Sequence, residues 1–442
     1  MVARRLLRVA ALALLFFPLG GCQDRSAEEQ SGPRRITVAY YSGVPMADFV
    51  KEEIPAFTEA TGIQVDFQEI RYTELRQRLV QAFDENRADF DAVFVDDIWM
   101  YEFVRKGYLE RLDSLVGRDS LDLSDFFPVV RAAESEMDGH VWLIPQRADV
   151  QVLFYRLDLF EDPGVRATFQ QTRDRPLTVP DTWEEYQEVA TFFTEIGESY
   201  TPRLWGSGET LLSDHYAFEF FALRYWAYSD TTFLEGSIPI FDSPSGRQAL
   251  EALVALREIA APSSPQWDHA GTIGAFSGGF TAMAPQWYAN FVTLVRDTAV
   301  AGKLGVALVP GVRRGEGITR TPSIGGGSLG IPSDSRMKAE AWEFIKHMTS
   351  GPFLARLALE GAIVPRRSAY QDPRVREAFP AVDVYLQSLD IARFRPRLTQ
   401  YAQVEDKIGE AVSAAFAEGG EPGRFLTSAA EEIRVLLSSG GG

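Results

Sequence analysis

Residues 321–335 read TPSIGGGSLGIPSDS. Gly325, Gly327 and Gly330 fit the G-x-G-x-x-G of a dinucleotide-binding loop, while Gly326, Ser328 and Gly330 fit the G-x-S-x-G of a serine-hydrolase elbow. Both motifs need a helix that begins directly after the glycines, so that its amino terminus meets phosphate or supports the nucleophile. Here Ile331-Pro332 follows, and the spacing predicts a helix only after Ser333 and Ser335, read as capping serines. Asp334 and His347 follow Ser328 too closely to come from the separate strand-end loops of a catalytic triad. The stretch therefore reads as a hinge strand and pocket floor. Its glycines let φ and ψ change as lobes close, and Gly326 lets backbone approach a ligand.

Working outward, the amino-terminal half supplies the fold class. Ile36–Tyr41 reads as a strand, Met46, Phe49, Val50, Ile54 and Phe57 recur at helical spacing, and Thr61-Gly62 stops that helix. Ile63, Val65 and Phe67 alternate as a second strand, Leu75, Leu79, Ala82 and Phe83 mark a second helix, and Ala92–Val95 is a continuous apolar strand. This β-α-β-α-β opening implies a doubly wound α/β sheet, whose ligands bind beyond the carboxyl ends of the strands. Tyr40, Tyr41, Asp96 and Asp97 stand at those ends. Further on, Asp181–Glu184 reads as a capping box, and residues 204–228 concentrate eight aromatic side chains, a density that suits a core or a cleft for flat ligands. Thr281–Ala284 reads as a short strand ended by Pro285, leaving Trp287 at the turn into a helix.

Composition narrows the function. The 442 residues are 45% apolar, enough for two lobes, and carry 62 acidic against 44 basic side chains. Nucleic acid as a partner is excluded by that balance and by the lack of a Lys/Arg cluster beyond the first residues. Arg4, Arg5 and Arg8 precede an apolar run, Val9–Phe17, too short to span a membrane, which reads as a secretory signal over residues 1–21. Leu19-Gly-Gly-Cys22 resembles the lipobox of bacterial lipoproteins, which implies lipidation of Cys22, the only cysteine. Residues 22–35 then form the lipidated cysteine and a polar tether. No intramolecular disulfide is possible, and His140, His215, His269 and His347 lack metal-ligand spacing, so neither a metal nor a cofactor is expected.

The order of segments resembles the sugar-binding family of bacterial ABC-importer solute-binding proteins, the group that includes maltodextrin-binding proteins. The likeness is carried by FTEATGIQV, FDAVFVDDIW, DGHVWLIPQRADVQVLFY, TVPDTWEEY, FSGGFTAMAPQWYANF, SIGGGSLGIP with AEAWEFIKHM, and GAIVPRRSAY, in that order along nearly the whole mature chain. The resemblance implies a two-lobed periplasmic-binding-protein fold, each lobe a doubly wound, mostly parallel sheet, joined by crossing hinge strands. Lobe 1 would take residues 36–147 plus 325–380, and lobe 2 residues 148–324 plus 381–442. It further implies a monomeric, non-enzymatic, extracytoplasmic receptor, anchored to a membrane through its lipid, that delivers a carbohydrate to ABC-transporter permease subunits. Sugars need paired donors and acceptors for hydroxyls and aromatic faces for their C–H surfaces. Asp149, Trp287 and Arg366 match family positions that reach the ligand, with Trp287 as the stacking platform. Trp205 and His215 join Tyr40, Tyr41, Asp96, Asp97 and Gly326 as further candidates. Paired carboxylates also fit a glycosidase, and acidic residues fit a polyamine in the same fold.

Overall fold

The computed structural model describes residues 34–439 apart from 210, 212–214, 230, 297 and 380. The expected signal, Cys22 and all but the end of the tether lie outside the described residues. Eight strands form one sheet: β1 (Arg35–Tyr41), β2 (Gln64–Ile70), β3 (Ala92–Asp96), β4 (Ile144–Arg156), β5 (Trp205–Ser207), β6 (Thr281–Trp287), β7 (Leu304–Ala307) and β8 (Ile324–Gly330). Their order is β2-β1-β3-β8-β4-β6-β5, with β7 also paired to β4. The expectation of two mostly parallel sheets is corrected. β1 pairs in parallel with β2 and β3, and β6 with β5, but β8 is antiparallel to β3 and β4, and β6 and β7 are antiparallel to β4. The sheet is mixed because β4 runs on past one half of the molecule and becomes the pairing partner of the other.

The local signals explain most element ends. Helix α1 (Pro45–Thr61) starts with a proline in its first turn and ends at Gly62, whose left-handed φ of 69° allows its N–H to cap Thr58 O. Helix α2 (Tyr72–Asp84) buries Leu75, Leu79, Ala82 and Phe83. Helix α3 (Asp97–Arg105) begins directly at the end of β3, and the Asp96 carboxylate caps it by accepting from Ile98 N. Helix α4 (Trp183–Ile196) is capped one residue later than expected: Thr182 Oγ1 accepts from Glu185 N, and the Glu185 carboxylate accepts from Asp181 N. Helix α5 (His215–Tyr228) buries Phe218, Phe220, Phe221, Tyr225 and Trp226 in the core, which settles the aromatic run. Helix α6 (His269–Ser277) precedes β6, and β6 continues through Pro285 to Trp287 instead of ending at the proline. Pro285 lies beyond the last β5 pairing, Met283 with Ser207, where an absent N–H is tolerated. Helix α7 (Lys338–Met348) starts later than the capping serines suggested. Its N-cap is Met337, whose N–H donates to Ser335 Oγ. Helix α8 (Tyr401–Glu418) packs against α5 in the second half, and a last helix, Gly423–Ser439, follows it.

Two hydrophobic clusters result. One gathers Val38, Phe94, Leu329, Trp342 and Tyr385; the other gathers Phe193, Phe221, Trp226, Ile408 and Ile433. Three chain segments run between them and are tied together. Gln151 N donates to Ser323 O and Ser323 N to the Gln151 carboxamide oxygen, while Arg393 N donates to Pro322 O and Ile324 N to Arg393 O. Ile324–Gly330 is buried throughout, as a hinge strand requires, and no helix follows it until Lys338. At Gly327 a Cβ would come within 2.0 Å of the Phe94 ring. Gly327→Ala should therefore destabilise the fold by about 1–3 kcal/mol through overpacking, read from urea unfolding midpoints.

Candidate functional site

A cavity of about 560 Å³ opens where the carboxyl ends of β1, β3 and β6 meet the first glycines of β8. Those ends contribute Tyr41, Asp96 and Trp287, β4 contributes Arg147 and Asp149, and β8 contributes Gly325 and Gly326. Five of the expected residues are thus brought together: Tyr41, Asp96, Asp149, Trp287 and Gly326. Gly326 has φ 147°, and a Cβ there would fall 2.4 Å from Arg147 O, so glycine is the residue that fits this turn of the floor. The half-buried Trp287 ring lies against Gly325, whose hypothetical Cβ would be 2.9 Å from the indole. One edge of the platform is therefore set by backbone.

Four expected residues are placed elsewhere. Tyr40 is in the core, its hydroxyl donating to Gln146 Oε1 at 2.7 Å. Successive strand residues face opposite ways, so only the strand-end Tyr41 reaches the cavity. Asp97 is buried as the first residue of α3 and accepts from Arg395 Nη2 at 2.6 Å. Trp205 lies on the edge strand β5 under the Arg203 guanidinium, 4.3 Å from its ring centroid. Arg366 braces a loop: its Nε donates to Thr349 O at 3.0 Å and its guanidinium lies 4.1 Å over the Phe126 ring. The His215 side chain lies outside the described residues.

The cavity also contains residues that local patterning did not single out. Arg147, two positions before Asp149 on β4, donates to its carboxylate at 3.0 Å, and Asp149 also accepts from Val150 N and Ala289 N. Burial pushes the Asp149 carboxyl up, against the pull of Arg147 and the two amides. His269, at the start of α6, is pushed down by burial, with Asn290 opposing and the Arg147 charge adding to the fall. Glu219 is the one charge in the aromatic stretch Tyr216–Phe221, and that isolation is the signal that could have found it. Arg395 has no such signal. Its guanidinium lies 5.9 Å from the Trp287 ring centroid and binds Asp97 of α3 and Glu219 of α5, with Glu405 of α8 3.6 Å away. Burial lowers the Arg395 pKa, but Asp97, Glu219 and Glu405 outweigh it and hold the group charged. The Ser328 hydroxyl is fully buried and donates to Glu134 Oε2 at 3.4 Å, with no histidine beside it.

A cavity floored by crossing strands and lined by carboxylates, arginines and aromatic rings is the site of a two-lobed solute-binding protein. The chain belongs to the family of bacterial extracellular solute-binding proteins, which matches residues 43–351. Members of this family bind solutes and do not turn them over, and they work outside the cytoplasm. An Agrobacterium radiobacter ABC-transporter solute-binding protein in complex with ribitol is 25% identical, with a TM-score of 0.79 over 91% of this chain and 98% of that one. The mannitol-binding protein of Pseudomonas aeruginosa is 28% identical over 71% of this chain and 70% of its own length. A Sinorhizobium fredii relative named "Probable amino-acid ABC transporter periplasmic-binding protein" is 24% identical over 82% of this chain and 80% of its length.

Trp287→Ala should weaken solute binding at least tenfold, the scale of about 1–3 kcal/mol for one buried, stacking ring. Because the ring is half-buried against Gly325, the unliganded melting temperature should move only slightly. Calorimetric titration and thermal melts on both proteins check this; unchanged affinity with a large loss of stability would return Trp287 to the core.

Proposed function

We propose that this protein captures a carbohydrate, a sugar or a polyol, and delivers it to an ABC importer. The observation that carries the reading is the cavity lining. Trp287 offers a flat apolar face, and Asp96, Asp149 and Arg147 offer acceptors and donors for hydroxyls around it. The ribitol complex of the Agrobacterium radiobacter protein and the mannitol-binding relative of Pseudomonas aeruginosa support it. Residues 36–147 plus 325–380 act as lobe 1 and residues 148–324 plus 381–442 as lobe 2. The solute contacts both lobes only when they close, so binding shifts the open–closed equilibrium in proportion to its preference for the closed form. The permease reads the closed form. The receptor works as a monomer held to the membrane by a lipid on Cys22.

Thermal melts of the soluble domain against polyols, monosaccharides and oligosaccharides test the ligand class. A cognate solute at about 100 times its Kd should add roughly 2.7 kcal/mol of stability. If carbohydrates leave the melt unchanged while amino acids or polyamines raise it, the carbohydrate reading is wrong. The anchor is tested separately. Cys22→Ser should release the protein from membranes while the purified domain keeps its melting temperature, and a variant that still partitions with membranes would disprove lipidation.

A further inference from the structure

The charges around the cavity do not balance. Asp96, Asp97, Glu219 and Glu405 surround a single guanidinium, Arg395, which donates to Asp97 and Glu219 and lies 3.6 Å from Glu405 and 3.9 Å from Asp96, and the buried Glu134 adds a fifth carboxylate in the field of Asp96 and Asp97. The other arginine in the cavity wall, Arg147, is taken up by Asp149. Exposed Arg397 adds only a solvent-screened positive field at Asp97, and His269 is driven towards its neutral form by burial. Of the five carboxylates, Asp96 and Glu219 line the cavity. Glu134 stands directly behind its floor: a Cβ on Gly326 would lie 2.5 Å from Glu134 Oε1, an atom with no hydrogen-bond partner among the described residues. Buried anions in excess of their cations are costly, and a neutral polyol donates hydroxyl hydrogens to them without removing any charge.

We propose that the solute is an amine-bearing carbohydrate, whose ammonium group seats at Asp96 beside the Tyr41 and Tyr72 rings. An ammonium cancels one of the surplus charges and makes charge-assisted hydrogen bonds to the carboxylate. The wall beside Asp96 suits a cation. Tyr72 hydroxyl donates to Asp96 at 3.2 Å, and the Tyr72 and Tyr41 rings lie edge to face at 5.8 Å, beside the Arg147 guanidinium, which is 5.7 Å from the Tyr41 centroid and marks this aromatic wall as one that accepts positive charge. Burial first, and then the Asp97 charge, push the Asp96 carboxyl well above its usual range, as expected of an acid that lacks a full positive partner. An independent observation calls for hydroxyls in the same ligand. Tyr41 lines the cavity, the residue is 5% exposed, and its buried hydroxyl oxygen has no hydrogen-bond partner among the described residues. The ligand must therefore carry both a cation and neutral hydrogen-bonding groups.

The inference rests on the carbohydrate reading, and one titration panel separates the two. Hexoses, hexosamines and N-acetylhexosamines of gluco, galacto and manno configuration, with mannitol and ribitol, are titrated into the wild-type protein and Asp96→Asn. Asparagine can still accept from Ile98 N, so the α3 cap survives. At least one hexosamine should bind tenfold or more tightly than both its parent hexose and its N-acetyl form, and that ratio should collapse towards one in Asp96→Asn. A merely structural Asp96 would lower all affinities together and leave the ratio intact. If neutral sugars or polyols bind as tightly as the amines, the amine inference is wrong while the carbohydrate reading stands. If no member of the panel binds, both fall.

Discussion

One strand is shared by everything else. β4 lends residues 144–150 to β8 and residues 151–155 to β6, so the sheet of each half is built on a different end of the same thirteen residues. A backbone crossing between two cores must satisfy its own N–H and C=O groups at the crossing. Here Gln151 does so by bonding through both backbone and side chain to Ser323, while Arg393 occupies the other side of the same joint. The cavity sits against this joint because the glycine floor, Arg147 and Asp149 belong to the two strands that meet there.

Electrostatics reinforces the joint. Arg395 lies two residues beyond Arg393 and links α3, packed with the first cluster, to α5 and α8 of the second. Breaking one partner of such a buried network leaves an uncompensated charge, a loss of roughly 3–5 kcal/mol, whereas exposed pairs such as Arg71 with Glu74 contribute far less. The cavity wall and the link between the clusters therefore share one guanidinium, since Arg395 lines the first and spans the second.

What was legible in the sequence was local. The β-α-β opening, the Gly62 stop and the glycine strand without a following helix all follow from periodicity and turn chemistry within a few residues. The capping box was off by one because Asp181 and Thr182 are both competent caps, and only the packing of Trp183 decides between them. The mixed character of the sheet was not legible, because β8 inserts between β3 and β4 across more than half the chain and pairing direction leaves no local trace. The same holds for the site. Strand ends foretold Tyr41, Asp96 and Trp287, but Arg395 approaches from a non-repetitive segment, and its role exists only through Asp97, Glu219 and Glu405. Tyr40 and Arg366 were the reverse case: polar residues near the right place whose hydrogen bonds are satisfied by the fold itself.

The late insertion of β8 also sets a schedule for folding. A nascent chain carries β1, β2 and β3 with one side of β3 unpaired until residues 324–330 have been synthesised. Contacts of such long sequence separation slow folding, because loop closure must precede the contacts that reward it. The core around β3 is therefore completed only once the last third of the chain is available to it.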